Sequence, residues 1–198
     1  MRPFLPKVLD SMLQASAGKT VPLDVRRVMR HVGSTVTIIT TQDGSQPFGM
    51  VATAMMSLSL EPPALAIGIN HSASIHKPLL ERREFCVNIL SRYDEDISRR
   101  FTKLSGAARF LAGDWRADET GPFQDIPYLA TAQAALFCTL EASMDSGTHC
   151  LMVGSIRRAI DNAVDDPLLY CDGAYGQFSK TWLDEPLALD DRLALCRS

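Results

Sequence analysis

Hydroxyls, amides and a histidine, rather than a nucleophile or a paired set of carboxylates, mark the chemistry of this 198-residue chain. Gly49, Met50, Val51, Thr53 and Ala54 lead to Ser57 and Ser59, and Glu61-Pro62-Pro63 then stops the run before an apolar stretch. Small residues let a flat ligand lie against the backbone, while spaced hydroxyls and amides address its polar edge. Downstream, Asn70-His71-Ser72-Ala73-Ser74 follows a strand and opens a helix. Ser72, Ser74 and the free N–H groups of that helix start form a cradle for an anion, with Lys77 one turn further in. Gly147-Thr148-His149 opens a late strand, where His149 alternates with Leu151 and Val153 as a structural histidine would.

Strands must position these segments. The Thr-, Val- and Ile-rich run Ser34 to Thr41, an Asp43-Gly44 turn and a strand Phe48 to Thr53 read as a hairpin. Ala64 to Asn70 is nearly continuous in apolar residues, as in a strand buried on both faces. Ser74 to Arg82 reads as a helix capped by Ser74, with Pro78 tolerable only in its first turn. Glu84 to Leu90 is a further strand, and Asp94 to Lys103 a further helix. Leu136 to Met144 and His149 to Ile160 alternate with period two around Asp145-Ser146-Gly147, predicting a long hairpin. Leu168 to Cys171 is a short strand, and Leu23 to His31 a short helix with Asp24 as its cap. Hairpin succession and the lack of a GxGxxG helix start predict a mainly β fold, a barrel decorated by short helices, rather than a parallel sheet. Residues 1–22 read as an N-terminal extension, 23–180 as the domain and 181–198 as a tail.

Composition narrows the function classes. Hydrophobic residues make up 46% and charged residues 22%, an ordinary globular balance, with a net charge of −3. Arginine pairs are scattered beside acidic residues, so no basic stripe for nucleic acid is expected. Apolar runs fall short of the roughly 18–20 residues of a membrane span. Pro6, Lys7 and Asp10 interrupt the start, leaving no signal-peptide core, so a cytoplasmic location is expected. Five cysteines form no CxxC, and Cys86, Cys138, Cys150 and Cys171 lie in strand-like runs as small hydrophobes; no metal site is expected.

In order, the motifs resemble the flavin reductase family, the FMN/FAD-binding split-barrel proteins. The resemblance rests on Gly33-Ser34-Thr35-Val36-Thr37-Ile38-Ile39-Thr40-Thr41, on Thr53 to Pro63, on Ser72-Ala73-Ser74 and on Phe85-Cys86-Val87-Asn88-Ile89-Leu90. It continues through Arg99-Arg100-Phe101, Arg109-Phe110, Gly147-Thr148-His149, Gly154 and Pro167 to Tyr175. It implies an antiparallel split β-barrel, a homodimer, and reduction of FMN or FAD by NADH or NADPH for a partner monooxygenase. By the same resemblance, Thr53 to Ser59 would contact the ring system and ribityl chain. Asn70, His71, Ser72 and Ser74 would hold the ribityl and phosphate region, with Lys77 or Arg100 beside Phe101 as counter-charge. His149 would stand beside the ring where the nicotinamide stacks, and Gly49 to Val51 and Tyr175 would complete the site. Thr148 occupies the place where the family usually carries an acid. A flavin carrier or sensor on the same barrel is the alternative reading.

Overall fold

The computed structural model of the chain describes residues 25–164 and 166–179. The chain divides into two compact units, Met1–Val32 and Gly33–Ser198. In the first, the described part carries a helix α1 over Val25–Met29. The expected Asp24 cap, the 1–22 extension and the 181–198 tail lie outside the described residues.

The second unit is mainly β. Its larger strands are β2 (Thr37–Asp43), β3 (Gln46–Ala52), β4 (Met55–Leu60), β5 (Pro63–Asn70), β6 (Glu84–Ile89), β9 (Ala134–Ser146) and β10 (His149–Asp161). They form one sheet in the order β3-β2-β6-β9-β10-β5-β4, all antiparallel. Only Thr53 and Ala54 join β3 to β4, although these strands occupy opposite ends of the seven-stranded row. Three chain steps from Ala52 to Met55 reach about 11 Å at most. A flat row would separate the two strands by about 29 Å. The sheet therefore curls until its edges meet without pairing, a split barrel. A small sheet of β1 (Ser34–Thr35), β11 (Leu168–Cys171) and β12 (Ala174–Gln177) and a short ribbon of β7 (Trp115–Arg116) with β8 (Tyr128–Leu129) complete it.

Several expected boundaries move. The run from Ser34 breaks at Val36, whose N–H donates to Leu168 O (2.9 Å), so that β1 pairs with β11 and β2 starts afresh. β3 begins earlier than expected and includes Pro47, which an edge strand tolerates. The helix α2 spans His76–Arg82, with Ile75 at its cap and no side-chain capping bond, which corrects the Ser74 cap. Asn70 orders the approach to the helix instead. Its Oδ1 accepts the N–H of Ser72 (2.9 Å), closing a turn just ahead of α2. Pro78 falls in the first turn, where its missing N–H has no helical acceptor to lose. The helix α3 covers Glu95–Lys103 after a short 3-10 turn at Arg92–Asp94.

The barrel interior holds Ile39, Leu65, Ile67, Ile69, Phe85, Val87, Leu140 and Met152. A second cluster, Val36, Ile38, Leu90, Phe101, Leu129 and Leu168, fills the space under α3. β2 is buried along both faces, and its threonines bond within the barrel wall as buried hydroxyls must: Thr37 Oγ1 donates to Ala52 O (2.8 Å) and Thr41 Oγ1 to Glu84 O (2.7 Å). Cys86, Cys138 and Cys150 are buried, but Cys171 is exposed near the β11–β12 turn, against the expectation of a small core hydrophobe. The β9–β10 hairpin forms with bulges at Val153/Gly154 and Ile156/Arg158. Its outer half is solvent-exposed from Glu141 to His149.

Candidate functional site

Two patches meet at the β5 end of the barrel. The first is the Thr53–Ala54 link. Gly68 N donates to Ala54 O (2.9 Å), and a Cβ on Gly68 would stand 3.1 Å from the Ala54 Cβ. Small residues on both sides thus let the link lie flat along β5. Thr53, Ala54 and Ser57 are exposed. β4 is the last strand of the row, so its outer backbone groups have no strand partner among the described residues. Ser59 turns inward to the chain instead, its Oγ accepting the N–H of Glu61 (3.2 Å).

The second patch joins the end of β5 to the start of β10. Asn70 and His149 are register partners. His71 N donates to Thr148 O (3.0 Å), and the Ser72 hydroxyl donates to Asn70 Oδ1 (2.8 Å). Thr148 Oγ1 lies 2.9 Å from His149 Nδ1, so the hydroxyl engages the ring. His71 Nε2 donates to Asp145 Oδ1 (3.0 Å) in the hairpin turn. Ser74 is exposed in the same loop, and Lys77 is exposed on α2 with its Nζ 3.6 Å from Glu81. The segments Asn70 to Ser74 and Thr148-His149, distant in sequence, are thereby brought together, one strand from the Thr53–Ala54 link.

Other expected site residues lie elsewhere. A Cβ on Gly49 would meet Phe101 Cε1 at 2.9 Å and Phe110 Cζ at 3.1 Å, so its smallness accommodates the chain's own rings. The Gly49 carbonyl accepts from Arg109 Nη1. Phe101 is 1% exposed in the second core cluster, edge-to-face with Phe110 and tilted against Trp115. Met50 packs on the first cluster and Val51 on the second. Arg100 is exposed on α3, and Tyr175 is half-buried with its hydroxyl 2.8 Å from Ser98 Oγ. These residues support the ledge from behind or stand apart from it. Sequence reasoning does not single out Asp145 or Arg109 as site residues; the Arg109-Phe110 pair is the available signal for one, and nothing local marks the other.

Asp145 carries a pH signature. The His71 hydrogen bond, then that of the Cys150 thiol, hold its carboxyl below the usual carboxylate range. With the folded value below the unfolded one, its stabilisation is complete above that range and is lost as pH falls through the lowered value. Acidification is expected to release the turn at Ser146-Gly147 before the barrel melts, seen as a loss of amide protection, relative to the intrinsic exchange rate at each pH, confined to the turn. Asp145→Asn should show the lost protection at neutral pH already; equal protection in both proteins would remove the His71 hydrogen bond from control of the turn.

The family model described as "Flavin reductase like domain" matches residues 29–179. The reductase component of the FADH(2)-dependent resorcinol hydroxylase from a Rhizobium species is 36% identical over 162 residues, covering 80% of this chain and 88% of that protein. The FMN reductase (NADH) RutF of Agrobacterium fabrum is 30% identical over 167 residues, covering 84% of this chain and 94% of its own. Among solved structures, the NADH:FAD oxidoreductase SgcE6 of Streptomyces globisporus C-1027, in complex with NAD and FAD fragments, superposes with a TM-score of 0.72 at 29% identity, over 82% of this chain and 98% of that one. With the split barrel, the ledge and the Asn70–His149 junction arranged as described, the chain belongs to the flavin reductase like domain family.

Proposed function

We propose that the protein oxidises NADH or NADPH to reduce FMN or FAD, and that the reduced flavin serves a partner monooxygenase. The observation that carries this reading is the junction of Asn70 to Ser74 with Thr148-His149, one strand from the flat Thr53–Ala54 ledge. The donor set fits a flavin. Exposed Thr53 and Ser57 hydroxyls and the unpaired edge of β4 suit the polar rim of a ring system; Ser72, Ser74 and Lys77 suit a phosphorylated chain. When bound, the flavin would supply a two-electron acceptor for hydride from a nicotinamide.

This chain's residues position rather than react. The ledge would hold a bound ring system flat, and the hydroxyls and edge N–H groups would stabilise negative charge at its polar rim. His149, held by Thr148 and exposed at the junction, borders the space the nicotinamide enters. The relatives named above support the donor and acceptor classes, since their names give NADH with FMN or FAD. The test is NADH and NADPH oxidation by the purified protein with and without added FMN or FAD, beside flavin titration by fluorescence. Oxidation dependent on flavin is expected. Flavin binding without turnover would instead identify a carrier.

A homodimer is part of the proposal. On the outer face of the barrel, Met144, Leu151 and Gly68 form one register row, and Met56, Ala66, Val153 and Ala142 the next. Met56, Met144 and Leu151 are 56%, 61% and 39% exposed, a contiguous apolar patch suited to a second copy. Leu151→Arg is expected to halve the mass measured by light scattering; an unchanged mass would place the contact elsewhere.

A further inference from the structure

Outside the ledge itself, α3 and the β11–β12 hairpin flank an open pocket of about 220 Å³ lined by Arg99, Thr102, Lys103, Tyr170, Gly173 and Tyr175. Its wall is organised before any ligand arrives. Glu95 Oε1 accepts from Arg99 Nε (2.7 Å) and lies 2.6 Å from Nη2, which holds the guanidinium 4.7 Å above the Tyr175 ring. The Tyr175 hydroxyl is anchored on Ser98 Oγ at 2.8 Å. Tyr170 stands edge-to-face with Tyr175 at 5.4 Å and is 38% exposed. The Arg99 charge is answered by Glu95, whereas Lys103 is exposed and has no acidic partner among the described residues.

One unpaired ammonium beside exposed aromatic surface selects a ligand that carries both an anion and a flat ring. Sites that enclose a whole drug-sized ligand occupy about 300–1,000 Å³. The smaller volume here suits one portion of a dinucleotide. Placement supports this: Val36 N donates to Leu168 O, Thr37 next to it pairs with Ala52, and Thr53 follows. The hairpin therefore leaves the barrel at the same end as the ledge.

We propose that this pocket binds the adenosine monophosphate portion common to NADH and FAD. The identity of the dinucleotides rests on the function proposed above; the pocket's preference for a nucleoside phosphate does not require turnover. The probe is 5′-AMP, titrated into the full chain by calorimetry, with Lys103→Glu and Tyr170→Ala as variants at exposed positions whose folding is checked by thermal melting. Saturable AMP binding to the wild type, weakened at least tenfold in both variants, is expected. Absent binding, or the same dissociation constant in all three proteins, would overturn the assignment whether or not flavin is reduced. Two further readouts separate the sources. A raised KM for NADH with FMN as acceptor assigns the pocket to the nicotinamide dinucleotide, and an FAD dissociation constant raised toward that of FMN assigns it to the flavin. Flavin-dependent NADH oxidation by the wild type is scored separately and reports on the function alone.

Discussion

Gly154→Ala is expected to destabilise the protein by about 1–3 kcal/mol, the usual cost of forcing an extra methyl into a packed core. Gly154 is buried on β10 at a bulge, opposite Leu140 on β9 and Leu65 on β5. A Cβ there would sit 2.5 Å from Phe85 Cζ and 3.1 Å from the Cys138 Cβ. Phe85 is 0% exposed and packed inside the barrel, so its ring has no free volume into which to turn. The strand must shift instead, and β10 carries His149 at its start. Activity should therefore fall along with stability. The specific check is compensation: Phe85→Leu alone opens a cavity, whereas Gly154→Ala with Phe85→Leu places the new methyl in the space vacated. The urea midpoint of the double variant should exceed the value obtained by adding the two single losses. Strict additivity would show that the overlap with Phe85 is not what excludes a side chain at Gly154.

Such contacts mark the boundary of what could be read from the sequence. Hairpins were legible because their signals are local: Asp43-Gly44 and Asp145-Ser146-Gly147 force turns, and alternation on either side of the second turn sets strand identity. β10 emerges nearly as expected, over His149–Asp161. The succession of hairpins made a barrel legible, but not where it splits, because Thr53-Ala54 shows as the seam only once β3 and β4 are known to be opposite edges. Gly49 invites a ligand when read alone, but the rings that fill its space belong to Phe101 and Phe110, 52 and 61 positions later. Ser74 has the right type for a helix cap, yet Asn70 reaches the backbone first and the helix starts beyond. Within the site, the order of motifs placed Asn70 to Ser74 and Gly147 to His149 in one neighbourhood. The clamp from His71 to Asp145 spans 74 positions and has no periodic trace.

Asn88 offers the second large effect, and in one variant its size depends on pH. The side chain is 0% exposed. Its Nδ2 donates to Ile38 O (2.9 Å), and its Oδ1 accepts the N–H of Leu129 (2.7 Å), tying β6 to β2 and β8. Asn88→Leu leaves both backbone groups without this partner, at about 1–3 kcal/mol each, so a loss of about 2–6 kcal/mol is expected. Asn88→Asp keeps the shape and the acceptor for Leu129. An ionised carboxylate, however, directs an oxygen at the Ile38 carbonyl in a fully buried site, while the protonated acid can donate to it. The folded pKa of the new group is thus raised above its unfolded value of about 3.9. Its contribution is fully present below that value and is lost as pH rises through the folded one. Relative to wild type, the urea midpoint of Asn88→Asp should lie close at pH 4 and fall progressively toward pH 7. A variant equally stable across that range would mean that the carboxylate finds a donor other than the Leu129 amide, and that Asn88 is not the latch between these strands.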